Sequence, residues 1–327
     1  MKIGNLELRN KPLFLAPMED VTDPSFRYIC KKFGADMVYT EFVSSDALIR
    51  DIPSSLKKLE IADSERPIGI QIYGNIPDAM TNGAIRIAEA RPDVVDINWG
   101  CPVKKIAGRG AGSGMMREPE KLIAITKSIV EAIRPFGIPV TVKTRLGWDD
   151  DSKIIVDLAE KLQDIGIAAL TIHGRTRCQM YKGESDWSLI GAVKNNPRMT
   201  IPIIGNGDIK SPIDAALAFN RYGVDGIMIG RATFGHPWLF REIRHYLDTG
   251  ELLPEMSVNE KVDLALDQLS KSLEVKGPRK GVLEMRRHLS SYFKGLTDFK
   301  PIRLRLVTED NPDELRNILE EIRKTYA

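Results

Sequence analysis

Short apolar runs recur at a steady interval along most of the chain: Leu13 to Ala16, Met37 to Phe42, Ile68 to Tyr73, Val94 to Ile97, Pro139 to Thr144, Ala168 to Ile172, Ile201 to Ile204 and Asp225 to Ile229. Between them lie amphipathic segments such as Ser25 to Phe33, Pro77 to Ala90, Pro119 to Ile133, Ser152 to Ile165 and Ile213 to Tyr222. The runs read as buried strands and the segments as helices, two of which open on proline, a residue suited to a first helical turn. Eight strand signals alternating with helices predict an α/β fold, a parallel (β/α)8 TIM barrel. An open doubly wound sheet is the competing arrangement, but no GxGxxG follows an early strand. From about Pro254 onward the period is helical only, with Val262, Ala265, Leu266, Leu269 and Leu273 on one face. The expected division is a barrel over residues 1–243 and a small all-helical domain over 244–327.

In a barrel of this kind the chemistry sits at the carboxyl ends of the strands. Polar residues and glycines cluster there: Pro17-Met18-Glu19-Asp20 after the first strand, Gln71 near the end of the third, and Asn98 and Cys101 after the fourth. Lys143 and Arg145 end the fifth, His173-Gly174-Arg175 the sixth, Asn206-Gly207-Asp208 the seventh and Gly230-Arg231 the eighth. Loops after strands seven and eight hold a phosphate in many barrels, because glycines let backbone N–H groups approach the anion. Asn206, Gly207, Asp208, Gly230 and Arg231 fit that use.

Composition narrows the class. The 327 residues are 43% hydrophobic and 28% charged, as in ordinary globular proteins. Three cysteines, Cys30, Cys101 and Cys178, are too scattered for a disulfide framework or a metal spacing, so no metal is expected. The opening residues hold no apolar signal core and no stretch suits a membrane span, so the expected location is cytoplasmic. A net charge of +2 means that any nucleic-acid surface is local. Residues 271–305 are the basic block, and Arg286, Arg287 and Tyr292 within it suit a phosphate backbone with an aromatic beside it. A solvated helix face is the alternative reading of the same block.

A flavin mononucleotide explains the strand tips as a set. Its phosphate would take the loops of strands seven and eight, and its ring needs a positive charge at the N1/O2 edge. Lys143 is the candidate for that charge, with Gln71, Pro17 and Met18 at the ring, Glu19 in the same loop, and His173 by phosphate or ring. Cys101 has three readings: an inert buried thiol, a nucleophile that needs a depressed pKa, or a general acid that needs a thiol still protonated near neutral pH. The third requires no histidine partner.

Six motifs carry a resemblance. They are Ala16-Pro17-Met18 with Val21-Thr22-Asp23, Asp96-Ile97-Asn98 with Gly100-Cys101-Pro102, Val142-Lys143-Thr144-Arg145, His173-Gly174-Arg175-Thr176, Gly205-Asn206-Gly207-Asp208-Ile209, and Met228-Ile229-Gly230-Arg231. In that order the chain resembles the tRNA-dihydrouridine synthases, and Arg241 to Pro254 resembles their bacterial B-type branch. The resemblance implies that NADPH reduces FMN, that hydride then passes to C6 of a uridine in tRNA, and that Cys101 protonates C5, with Asn98 positioning the uracil or flavin. It further implies that the appended helices bind RNA, with Lys104, Lys105, Arg145, Arg175, Arg286, Arg287 and Tyr292 as candidate contacts. Ribosomal RNA is an open alternative substrate, and a small-molecule FMN oxidoreductase acting on a free pyrimidine an alternative function. A non-catalytic RNA-binding protein that kept the barrel is a third reading. Two departures from the family pattern stand out, Glu19-Asp20 where the family has Ala-Gly and Trp99 where it has methionine.

Overall fold

The structure, a computed structural model, describes residues 1–327. Eight parallel strands form the barrel: β1 (Leu13–Leu15), β2 (Val38–Tyr39), β3 (Ile68–Tyr73), β4 (Val94–Asn98), β5 (Val140–Arg145), β6 (Ala169–His173), β7 (Ile203–Asn206) and β8 (Gly226–Ile229). Each pairs with its neighbour in sequence, β8 pairs with β1, and a single bridge between Phe14 and Met37 joins β1 to β2 and closes the ring. The helices that follow the strands are α1 (Pro24–Lys32), α2 (Ser45–Ile49), α3 (Pro77–Glu89), α4 (Pro119–Ile133), α5 (Ile155–Asp164), α6 (Ser188–Lys194), α7 (Pro212–Tyr222) and α8 (Leu239–Thr249).

The strands look uniformly apolar in sequence because one set of alternate residues packs under the helices and the other fills the barrel. Leu13, Leu15, Ile70, Ile72, Val95, Ile97, Val142, Leu170 and Ile172 belong to the outer core. The inward set changes character along the barrel axis. Phe14, Met37, Val94, Ala169 and Ile204 fill the amino end, which Ile3 of an N-terminal hairpin plugs. Polar residues replace them towards the carboxyl end, first Gln71, Asp96 and Thr141, then Asn98, Lys143, His173 and Asn206. Gly69 makes room for this filling: a Cβ there would lie 2.5 Å from the Tyr39 ring. The polarity that marks the strand tips in the sequence is thus the top layer of a packed interior.

Trp99 has a structural role. It is fully buried, and its indole N–H donates to Thr126 Oγ1 in α4 at 3.0 Å. Trp99→Phe keeps most of the packing and leaves the hydroxyl without its donor, so a loss of about 1 kcal/mol is expected in urea unfolding. An unchanged midpoint would place the value of the indole elsewhere.

The C-terminal domain comprises α9 (Val258–Lys276), α10 (Pro278–Tyr292), α11 (Lys300–Thr308) and α12 (Pro312–Tyr326). Its core takes Ile29 and Trp238 from the barrel side. The expected boundary at 243/244 falls inside α8. Leu239, Phe240 and Ile243 of α8 pack into the barrel core, so the barrel continues through Thr249. The two domains meet along α1 and α9. Asp267 accepts from Tyr28 and Lys32, at 3.3 and 2.6 Å. Lys276 Nζ lies buried between Asp23 and Glu284, at 2.7 and 2.6 Å. His288 stacks on Phe26 at 4.7 Å between ring centres and also meets Phe234. No helix is long and apolar enough to cross a membrane.

Candidate active site

The carboxyl end of the barrel opens into a cavity of about 450 Å³, within the size range of small-molecule and cofactor pockets. At one end stand the tips of β7 and β8. Gly207 has φ +128°, and a Cβ there would lie 2.8 Å from Ser185 Cβ, so conformation and space both call for glycine. Gly207, Asp208 and Gly230 all line this end of the cavity, and their backbone amides donate to no group of the chain. Arg231 stands beside them, and its guanidinium lies over Tyr181 at 4.7 Å. Asp208 holds that corner together: it accepts from Arg175 at 3.1 and 2.6 Å, from Arg231 at 3.2 Å and from the Ser185 amide at 2.9 Å. Burial works to raise its pKa, but the bonds to Arg175 and Ser185 outweigh it and keep the carboxyl below its usual range.

Lys143 rises from β5 into the middle of the cavity, 3.1 Å from Asn206 Oδ1, and Asn206 is fixed by donating to Met228 O at 2.8 Å. Burial, with the Arg145 charge added, brings the lysine pKa down to about 8. His173 is pushed well below its usual range by burial and then by Arg145 and Lys143, so the ring is neutral near pH 7. A cavity walled by cations favours a neutral imidazole over a second positive charge.

Cys101 lines the opposite wall and is 7% exposed. Burial pushes its thiol up, so the sulfur keeps its proton at neutral pH. Its loop is pinned from three sides. Asn98 Oδ1 accepts from the amides of Gly100 and Cys101 at 2.9 and 2.8 Å, and Ser113 Oγ donates to Cys101 O at 2.7 Å. Arg145 Nε donates to Gly100 O at 2.7 Å. The site therefore combines a protonated thiol, a half-buried cation and three unused amides. It can donate a proton, stabilise negative charge and seat a phosphate. No group of three or more His, Cys, Asp or Glu side chains is placed to hold a metal ion.

The family model described as dihydrouridine synthase (Dus) matches residues 14–325. The chain belongs to the dihydrouridine synthase family. It is 40% identical over 320 residues to tRNA-dihydrouridine synthase B of Pseudomonas putida, covering 97% of this chain and 93% of that protein. It is also 40% identical over 297 residues to a probable tRNA-dihydrouridine synthase of Rickettsia conorii, covering 90% and 88%. Among solved structures, morphinone reductase shares the barrel at TM-score 0.54 and 12% identity, over 78% of this chain and 91% of that one. Histamine dehydrogenase of Rhizobium sp. 4-9 matches at 0.58 and 12%, over 100% and 64%.

In this dihydrouridine synthase the structure gathers Pro17, Met18, Gln71, Asn98, Cys101, Lys143, His173, Asn206, Gly207, Asp208, Gly230 and Arg231 around one cavity. Glu19 is a correction. Its side chain turns away from the cavity to pair with Lys58 at 2.6 Å, on the wall of the cleft between barrel and helical domain. Asp208 needs a narrower reading, because its carboxylate is occupied by two arginines and only its backbone amide is left without a partner. Several RNA candidates are also corrected. Tyr292 is buried and donates its hydroxyl to Gln268, so it cannot lie against a base. Arg286 closes the end of α11 by donating to the carbonyls of Thr308 and Glu309 and pairing with Asp310. Arg145 and Arg175 are buried and hold the loops of this site. Lys104 and Lys105 stand exposed on a one-turn helix after Cys101, and Arg287 is half-buried on the cleft wall.

Phe42 and Tyr181 also line the cavity, and no sequence pattern assigns them a role. Nor does any pattern single out Arg117, Trp148 and Arg177. The guanidinium groups of Arg117 and Arg177 lie over the Trp148 ring, at 4.2 and 4.6 Å from its centre. The only signal available was a tryptophan in a polar loop, and the partners come from two other loops.

Proposed function

We propose that this chain reduces uridine in tRNA to 5,6-dihydrouridine, with FMN as its flavin and NADPH as reductant. The observation that carries the reading is one cavity holding a protonated Cys101, the Lys143 ammonium and the open amides of Gly207, Asp208 and Gly230. Those amides with Arg231 would seat the FMN phosphate, and Lys143 with Gln71, Pro17, Met18 and His173 would surround the ring. When bound, the flavin supplies hydride to C6 of the uracil.

Cys101 completes the reduction from the other side of the double bond. Its thiol holds a proton at Sγ and gives it to C5, where negative charge develops as C6 becomes saturated. The thiolate left behind is supported by the amide of Val103 and the charges of Arg145 and Lys143, and it recovers a proton from solvent. A stacked uridine cannot reach the bottom of this cavity, so the nucleotide enters flipped out of its helix.

The exposed cations that follow Cys101 in sequence are the RNA grip that this geometry favours: Lys104, Lys105 and Arg109, with Arg117, which lies over the Trp148 ring, as a further exposed cation. Lys104→Glu with Lys105→Glu is expected to weaken tRNA binding similarly for all tRNA sequences and to lower the slope of log K against log salt by about 1 to 2. Arg286→Glu is expected to leave that slope unchanged and to lower stability. The reverse pattern would return the grip to α10.

The deciding experiment is to map dihydrouridine in tRNA and rRNA from a strain lacking this protein, together with the visible spectrum of the purified protein. Loss of dihydrouridine at defined tRNA positions and a flavin spectrum are expected. A colourless preparation would reject the cofactor, turnover of free pyrimidine without RNA would favour the small-molecule reading, and loss confined to rRNA would move the substrate.

A further inference from the structure

From the cavity floor down into the barrel, four buried side chains form one continuous hydrogen-bonded line. Thr141 Oγ1 donates to Asp96 Oδ1 at 2.6 Å, and Gln71 Nε2 donates to Asp96 Oδ2 at 2.5 Å. Asn98 Nδ2 donates to Gln71 Oε1 at 2.8 Å, and Asn98 Oδ1 accepts from the amides of Gly100 and Cys101. Register explains the line, since Gln71, Asp96 and Thr141 are direct neighbours across β3, β4 and β5. All four are at most 5% exposed, so water cannot stand in for a missing partner.

The line has a fixed polarity. An ionised carboxylate only accepts, so Gln71 must turn its NH2 to Asp96 and its oxygen to Asn98. Asn98 must then offer its NH2 to Gln71, which leaves its oxygen for the two loop amides. The loop imposes the same answer from the far end, because backbone N–H groups only donate. Each amide orientation is thus set twice, once from the carboxylate and once from the Cys101 loop. Resting on the function proposed above, we infer that Asp96 is a positioning residue for the proton donor: through Gln71 and Asn98 it holds the Cys101 loop in register with the cavity.

Burial raises the Asp96 carboxyl, and even against the bonds from Thr141 and Gln71 and the nearby Lys143 charge it stands at about 6, so the ionised form predominates at neutral pH. Tyr39 faces the same group from β2 and stays neutral. The line also survives without the charge. An asparagine at 96 can turn its oxygen to Gln71 and its NH2 to the Thr141 hydroxyl, whereas leucine fills the space and offers nothing.

That contrast is the test. In a Cys178→Ser background, which removes the exposed thiol, iodoacetamide alkylation of Cys101 is followed by mass spectrometry, and kcat and KM for tRNA are measured on the flavin-loaded protein. Asp96→Leu is expected to lower kcat by about 10- to 100-fold, the scale of a 1 Å misplacement of a reacting group, with little change in KM. It is also expected to speed alkylation of Cys101 as the loop loosens. Asp96→Asn is expected to stay within about threefold of the parent in both, because its donor and acceptor complete the same line. Thr141→Val, a milder cut at the line's anchor, is expected to speed alkylation even if the leucine variant does not fold. Equal losses in the asparagine and leucine variants would overturn the inference in favour of a charge effect, and unchanged alkylation in the leucine and valine variants would overturn it outright. Alkylation is read without turnover, so an error in the assigned reaction and an error in the positioning role give different results.

Discussion

Cys101→Ala is expected to lower dihydrouridine formation by about 10²- to 10⁴-fold, the range that a positioned general acid contributes. The substitution removes one sulfur from the cavity wall and leaves the amides, Lys143 and Arg231 in place, so flavin content should be unchanged. The expected pair of results is a yellow protein, still reduced by NADPH, that no longer modifies tRNA. A serine in the same place retains a hydroxyl but holds its proton far more tightly, and it should recover little. Full activity in the alanine variant would mean that water or another group protonates C5.

Lys143→Met has the second largest expected effect. It keeps the side-chain length within the barrel and deletes the cation that approaches Asn206. A preorganised charge in a site of this kind is worth about 10²- to 10³-fold, so a fall of that size is expected, together with a lower flavin reduction potential measured against a reference dye. The sign of the pH dependence follows from the shift. Burial and then Arg145 bring Lys143 down to about 8, so the useful ammonium is lost as pH rises through and beyond that value. The wild-type rate should decline on the alkaline side, Lys143→Arg should move the decline to higher pH, and Lys143→Met should not show it. An alkaline limb that persists in the methionine variant would belong to another group.

Much of this architecture was legible from periodicity, and the reason is physical. In a parallel barrel the outward face of each strand is predominantly apolar, and the runs from Ile68 to Tyr73 and from Val94 to Ile97 mark their strands almost to the residue. The short α2 and α6 carry too few turns for a helical period to be read, and they were missed. The cofactor-facing tips were legible because the fold itself says which strand end bears them. What spacing does not give is direction. Glu19 lies next to Met18 yet turns to Lys58, and Arg286 lies in a basic block yet closes the end of α11. Asp96 was visible as a carboxylate inside an apolar run, but its meaning depends on Gln71 and Thr141, which adjoin it only across the sheet. Trp99 is similar: its partner Thr126 lies on the helix behind the strand.

The seam between α1 and α9 has a consequence for substrate choice. Lys276, held between Asp23 and Glu284, and His288, stacked on Phe26, tie the helical domain to the helix that follows the first barrel strand. The two domains are therefore joined by a packed seam, so a folded RNA held at Lys104 and Lys105 would meet the helical domain as a wall at a set distance from the Cys101 sulfur. On the function proposed above, the seam would then limit by reach which nucleotide of a folded RNA arrives over the cavity, as a gauge selects a length.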